Sequence, residues 1–528
     1  PSYRAPQNDR QILCVPPWST TASDFANRQD TFSASQGEIA GIPIAELARA
    51  ARSELVLQAE KFTHAYSDQS QAVDSEHPLI ITGHQPGFVH PGVWLKNFAA
   101  AQLADHVGGT AIHLIIDNDL CRTPSIRVPT GTVEQPHVVY VPFDQPQQAI
   151  PWEERAIVDR SLWNTFGKRV SQQLEPLLKH SLITQWWSEV VSGAESSSRL
   201  GLAMVRARHG LERRWGNRSL EIPQSLICQT SSFQRYALHL FSNASKFRRD
   251  YNEGLSIYRQ AHRLRNAAQP LPDLEAIEGW IETPFWVWTE DEPTRRAVYV
   301  QLEPTGIQLS DRQRWQARLP LDPAAALQTL TDWENVGIKI RSRALSTTLY
   351  ARLLLADMFI HGIGGAKYDQ VTDLLSKRFF GIELPAFLTM SGTLRLPIAH
   401  TTIPATRARD LRHSLRKLRY HPEALISPID LDQTGQAQAA VLVEQKRHWV
   451  QTAKTADNAA QRHAQIEAAN SGLQSLLHSQ RAELQRQLSL TLAQTRANQI
   501  LESREYPFCL FPPKVLQDFL LDFSQRIP

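Results

Sequence analysis

The sequence predicts an α/β protein: a parallel-sheet core with helical insertions, followed by a C-terminal antiparallel helical hairpin. Three observations carry this. Leu79 to Leu120 reads as strand, polar loop, helix and strand, the order of a βαβ unit. A second module, read as helix, loop, helix and strand, spans Thr347 to Met390. Ala437 to Glu502 has no Pro, a single Gly, and apolar residues at heptad-like steps.

At 528 residues the chain is too long for one core, and about three domains of roughly 150 residues are expected. Hydrophobic residues make up 42% and charged residues 21%, an ordinary soluble composition. A formal charge of +3 gives no general argument for nucleic acid or an acidic membrane surface. No apolar run reaches the ~18 residues a membrane span needs. No charged start leads into an apolar segment, so no signal peptide is expected. The four cysteines are dispersed and form no CxxC, which argues against a zinc site or disulfide framework. A reduced, cytoplasmic protein is the expectation.

Residues 1–76 read as an N-terminal extension on the core. Cys14 to Trp18 is a turn, and Ile44 to Phe62 is a helix by spacing. The core is expected over 77–430. It opens with the strand Leu79-Ile80-Ile81, a helix from Val93 to Ala104, and a strand from Ile112 to Ile116. Another strand covers His137 to Phe143. Helical periodicity marks Leu174 to Val190, Ser198 to Gly210 and Phe233 to His262. The Pro-rich Ala267 to Leu274 ends that last helix. Ile281 to Val287 and Arg296 to Leu302 form a hairpin around TEDEPT, with Trp286 and Trp288 suited to a pocket wall or a core. Thr347 to Ile360 reads as a strongly apolar helix. It leads into the loop HGIGGAKYD (His361 to Asp369), a helix from Val371 to Phe380 and an apolar run from Ala386 to Met390.

Thr406 to Tyr420 carries Arg and Lys at three- and four-residue steps, the pattern of a solvated helix face. Residues 431–505 read as two long antiparallel helices, a coiled-coil hairpin broken at Asn470-Ser471-Gly472. Lys446 and Gln480 fall at its core positions. The tail, 506–528, begins with the apolar Tyr506 to Pro512 and is expected to fold back on the core.

Three clusters can carry chemistry. GHQPGFVHPG (Gly83 to Gly92) opens a helix at a strand end, where backbone N–H groups and the helix dipole favour anions. His84 and His90 can stabilise charge on phosphate or acyl oxygens. Gly83, Gln85, Gly87, Gly92, Lys96 and Asn97 would surround a bound nucleotide. His90 to Val93 matches an HxGH-type signature in part. The structural alternative is a tight, capped turn. Asp117-Asn118-Asp119 is a D-x-D at a strand end, suited to Mg²⁺ through Asp117 and Asp119, or to a polar turn. In HGIGGAKYD, Gly364 and Gly365 permit close backbone approach, while His361 and Lys367 offer a titratable group and a point charge. Tyr368 and Asp369 join Asp117, Asn118 and Asp119 as candidate substrate contacts. Cys121 lies beside this region.

In order and spacing, these features resemble the bacillithiol-biosynthesis cysteine-adding enzyme (BshC) family. Its TGQQ-type stretch stands here as Thr82-Gly83-His84-Gln85-Pro86-Gly87, and its acidic strand end as Ile116-Asp117-Asn118-Asp119. Tyr251-Asn252, Tyr258-Arg259 and Pro270 to Leu274 match a middle segment, and Asp357 through Gly364-Gly365 to Tyr368 a later one. The resemblance covers about Leu79 to Glu502. It implies a Rossmann-like core related to nucleotidyltransferases, and a coiled coil that mediates a homodimer. It also implies a ligase that joins cysteine to a sugar-malate acid by an amide bond, with ATP or ADP as nucleotide. His84 stands where the family has Gln, and the acidic cluster lacks the family's leading Glu and its His. These departures leave open which amine and acid are joined.

Two other readings stand beside this one. The D-x-D also fits a metal-dependent nucleotide-sugar or nucleotidyl transferase. A Rossmann shell with a coiled coil also fits a non-catalytic scaffold. No nucleic-acid or membrane partner is expected in any of them.

Overall fold

The computed structural model describes residues 3–25, 37–67, 73–195, 197–266, 268–427 and 431–523. The fold is mixed α/β, built on a six-stranded, mostly parallel sheet. Its strands run in the order Ile12–Val15, Leu388–Gly392, Met358–His361, Leu79–His84, Thr110–Ile115 and Leu220–Pro223. The first is antiparallel to its neighbour, and the other pairings are parallel. After the edge strand Ile12–Val15, the parallel part starts in the middle with Leu79–His84 and builds outward on one side through Thr110–Ile115 and Leu220–Pro223. It then returns to build the other side. The order therefore reverses between Leu79–His84 and Met358–His361, which pair from Met358 opposite Ile80 to Ile360 opposite Thr82. Reversal points of this kind open a crevice at the carboxyl ends of the two strands.

Leu79, Ile80 and Ile81 are fully buried, as a strand covered on both faces requires. Leu79, Ile81, Ile112 and Leu114 join Ile44, Leu47, Ala51 and Leu55 of the helix Ile44–His64 in the main core. The two-residue period places Ile80 on the other face. The helix Pro91–Val107 packs on the same strands. Pro91 occupies its first position and Gly108 its left-handed C-terminal cap, so local sequence sets both ends.

A second, antiparallel sheet holds Trp280–Thr289, Arg296–Glu303, Gly306–Ser310 and Gln316–Leu319, with Ile338–Ser342 on the other side of Trp280–Thr289. The hairpin around TEDEPT belongs to it.

Several elements differ from the sequence expectation. Thr347 to Ile360 is not one helix. A helix spans Ala344–Tyr350, a π-turn spans Ala351–Leu355, and Met358–His361 is a strand of the central sheet. The segment is buried except at Thr347 and Asp357, and a strongly apolar run does not distinguish a buried strand from a buried helix. HGIGGAKYD is therefore not a helix-to-helix loop. His361 ends a strand, and Ile363–Phe379 is helical from the glycines onward. Phe233 to His262 is two helices, Ser231–Ser242 and Ala244–Ala261, divided at Asn243. Leu174 to Val190 is the end of Arg160–Leu174 and most of Ile183–Gly193.

The chain forms two compact units, one of residues 1–128, 139–396 and 504–528, the other of 129–138 and 397–503. The helical unit thus begins well before residue 431, because it includes the basic helix Arg407–Tyr420. That helix buries Leu411 and Leu418 against its own unit, and its charged residues line the opposite face. The remaining helices are Gln433–Gln451, Ala459–Leu476 and His478–Leu501. The reversal falls at 452–458, not at Asn470-Ser471-Gly472, which lies within a helix. Gly472 is there for packing: a Cβ on it would lie 2.9 Å from Leu442. Lys446 is buried as its core position implies, and donates to the Tyr420 carbonyl at 2.8 Å and to Glu423 at 2.6 Å. In the first unit, the tail packs Phe508 against Trp94 and Trp186, with ring centroids 4.4 and 4.9 Å apart. No described helix is long and apolar enough to cross a membrane.

Candidate active site

A cleft of about 890 Å³ lies at the carboxyl ends of the central strands. Gly83, Asn118, Asp119, His361 and Ser391 reach it from strand ends, and His90, Val93 and Lys96 from the first turns of Pro91–Val107. Gly362, Gly364, Gly365, Lys367 and Tyr368 reach it from the start of Ile363–Phe379. Trp286, Arg295 and Arg343 form the wall contributed by the antiparallel sheet region. Among the described residues no side chain caps the first turn of Ile363–Phe379, so its N–H groups are available to an anion.

Within this cleft His361 is held as a positioned base. Its Nε2 donates to Asp369 Oδ2 at 2.8 Å, and Arg352 donates to the same oxygen at 2.7 Å. Arg352 thereby secures the carboxylate form. A neutral imidazole whose Nε2 carries the proton keeps its lone pair on Nδ1. That nitrogen lies against Gly365, where a Cβ would stand 2.6 Å away. Only glycine leaves room for it. Burial lowers the pKa of His361 below 6.5 despite Asp369, so the ring is neutral and basic near pH 7. For Asp369, burial acts upward, but His361 and Arg352 outweigh it and hold the carboxyl at about 2.

Lys96 is the second feature. It is 4% exposed, and its Nζ donates to the Gly83 carbonyl at 2.8 Å. Among the described residues it has no carboxylate partner. Burial lowers its pKa to about 8. A buried ammonium with one carbonyl acceptor calls for an anion from outside the chain. Its Cε lies 3.9 Å from where a Cβ on Gly362 would sit, so it bridges the two strands at the reversal point.

Several residues expected in the site lie elsewhere. His84 is buried beneath the cleft; its ring lies 4.2 Å from that of His113, and its Nδ1 bonds the Gln85 carbonyl at 2.9 Å. His113 continues to Glu221 at 2.9 Å, and Arg208 binds both Glu221 and Glu212. Asn97 donates to Glu212 at 2.8 Å, within the same buried network. Gly87 and Gly92 serve close packing. A Cβ on Gly87 would lie 2.8 Å from Trp152, and one on Gly92 would lie 1.9 Å from the Gly392 carbonyl oxygen. Gln85 is exposed and donates to Asp119.

The two carboxylates of the D-x-D have different partners in the chain. Asp117 is buried and accepts from the Ser225 N–H at 3.0 Å and hydroxyl at 2.5 Å. Asp119 accepts from the Leu120 N–H at 2.8 Å and from Arg295 at 3.2 Å. The two carboxylates are thus committed to different partners. Among the described residues, the grouping of three or more His, Cys, Asp and Glu close enough to share an ion is His209, Glu212 and Glu221, and Arg208 already spans its two carboxylates. Cys121 is buried outside the cleft, and burial raises its thiol pKa to about 11.

Three arginines of the cleft lie outside the motifs. Arg343 sits 4.0 Å over the Trp286 ring, and Arg295 sits 4.9 Å from it. Arg504 bonds Ser391 Oγ at 3.1 Å. Nothing in the local sequence of Arg504 sets it apart from other arginines. Compared with family models and with curated proteins, the sequence matches none.

Proposed function

We propose that the protein is an enzyme that acts on an anionic small molecule in this cleft, a ligase or transferase of the kind its resemblance to the BshC family implies. The observation that carries this reading is the pairing of a buried, unneutralised Lys96 with a His361 held by Asp369 at the same strand ends. His361 Nδ1 accepts the proton of an attacking amine as its nitrogen bonds to an acyl carbon. Lys96 and the open N–H groups of Ile363–Phe379 balance the charge that develops on the acyl oxygen. The C–N bond forms, the bond to the anionic leaving group breaks, and the leaving group departs with its electron pair. Cysteine and a sugar-malate acid are the substrates the resemblance suggests.

We take the central sheet as Rossmann-like on its strand order, and Gln433–Gln451 with Ala459–Leu476 as a coiled-coil hairpin suited to a homodimer. The cleft's donors fit the phosphates of ATP or ADP, whose role would be to activate the acid. Asp117 and Asp119 do not fit Mg²⁺ in this arrangement, which ranks the metal-dependent transferase below the ligase. A cytoplasmic location accords with this chemistry. Thermal shift with ATP, ADP, amino acids and sugar malates tests the reading. A ligand at a hundredfold excess over Kd stabilises by about 2.7 kcal/mol. No shift with any of them would favour the scaffold.

A further inference from the structure

His90 caps the helix Pro91–Val107 by accepting the Gly92 N–H on Nδ1, at 3.1 Å. A neutral imidazole that accepts on Nδ1 must carry its proton on Nε2. Burial, with Arg504 and Lys96 nearby, lowers the pKa of His90 to about 3, so the ring is neutral. Its Nε2–H is therefore a donor. The group it meets is Arg504 Nη2, 3.3 Å away, which is also a donor. Two donors this close are served by a shared acceptor to one side, within hydrogen-bond reach of both. Ser391 Oγ lies 3.1 Å from the same Arg504 nitrogen, and Thr393 Oγ1 lies 3.2 Å from its other one. Glu505 lines the same cleft; it pairs with Arg504 at Nε, 3.2 Å away, and lies 4.0 Å from His90 Nε2, which leaves the Nη side of the guanidinium to Ser391, Thr393 and His90. His90, Ser391 and Arg504 all line the cleft that holds Lys96 and His361.

We infer that Arg504, His90 Nε2–H and Ser391 form a second oxyanion subsite, which grips an anionic group of the substrate separate from the one at Lys96. The inference rests on the proposed anionic substrate and adds that it carries two anionic groups. A guanidinium fork with a neutral N–H and a hydroxyl suits a carboxylate or a phosphate oxygen pair. Arg504 is thus a specificity-determining residue, supplied from the start of the C-terminal segment.

The test uses the full chain with inorganic phosphate and, separately, acetate, read as the anion concentration that gives a half-maximal thermal shift. His90→Asn keeps an N-cap acceptor and removes the Nε2–H donor, so its melting temperature without anion should match the wild type. Arg504→Gln removes the fork. Both variants should need at least tenfold more anion than the wild type. The stronger of the two probes in the wild type identifies the group, phosphate or carboxylate. Crystals soaked in selenate should show an anomalous peak within hydrogen-bonding reach of Arg504 and His90, and a separate one at Lys96. Wild-type anion response in both variants, with no peak at Arg504, overturns the second subsite; loss of response in Lys96→Met then leaves the first reading standing. A peak at Arg504 with none at Lys96 supports the subsite and counts against the first reading.

Discussion

His361 Nε2 lies 2.8 Å from Asp369 Oδ2, eight residues on, with both side chains buried where the strand Met358–His361 leads into the helix Ile363–Phe379. The carboxylate orients the ring, and the ring's other nitrogen is the one left for substrate. His361→Gln should lower kcat about 10²- to 10⁴-fold, the usual worth of a positioned base. Gly365→Ala should do similar damage by displacing the ring, since its Cβ would lie 2.6 Å from Nδ1. Steady-state kinetics per folded molecule check both.

Acid should unfold this protein earlier than carboxylates alone would require. His84, His113, His209 and His361 all have pKa values lowered first of all by burial. Their unfolded value is about 6.5. Below that pH the unfolded chain takes up protons that the folded chain refuses. The stability they give is full above about 6.5 and is lost as pH falls toward their lowered values. Asp117 acts in the opposite sense. Burial and Glu153 raise its pKa from 3.8 to about 7, so its contribution is full below 3.8 and lost as pH rises through 7. The four histidines should dominate. Urea midpoints at pH 7.5 and pH 5 measure the balance, and a midpoint at pH 5 equal to or above that at pH 7.5 would count against it.

His84→Ala should act on stability. The ring is buried on His113 above the Glu221–Arg208–Glu212 network, and its loss leaves a cavity there. A cost of about 2–4 kcal/mol is expected, by analogy with other large-to-small core changes. Chemical denaturation reads it. Activity per folded molecule should fall far less than in His361→Gln.

Lys96→Met should leave stability unchanged or raise it. The change removes a buried charge that has no carboxylate partner among the described residues and keeps the aliphatic stem. A melting temperature at or above that of the wild type, with weakened anion binding, is the expected result. Residues that serve function at a cost in stability behave this way.

The fold was legible where a strand is a short apolar run between turn residues. Leu79 to Ile81 and Ile112 to Ile116 show this, as does the hairpin around TEDEPT. It was illegible at Met358–His361, because a run buried on every side carries no period. The glycines misled in two ways. Gly472 reads as a helix break but lets Leu442 approach within a helix pair. Gly92 reads as a phosphate cradle but lies against the Gly392 backbone. In the site, His90, Lys96, Asp119 and the glycines before Lys367 are local to their motifs and could be found. Whether His84 faced the cleft or the core depended on which side of the strand it took. Arg295, Arg343 and Arg504 come from distant segments, and only the folded chain brings them together.

The most direct test is the Kd of ADP, measured by calorimetry without added Mg²⁺ on the wild type, Lys96→Met and His361→Gln. The account predicts binding to the wild type, at least tenfold weaker binding to Lys96→Met, and near wild-type binding to His361→Gln, whose defect lies in turnover. Equal affinity for the wild type and Lys96→Met, or no binding to the wild type, would contradict it.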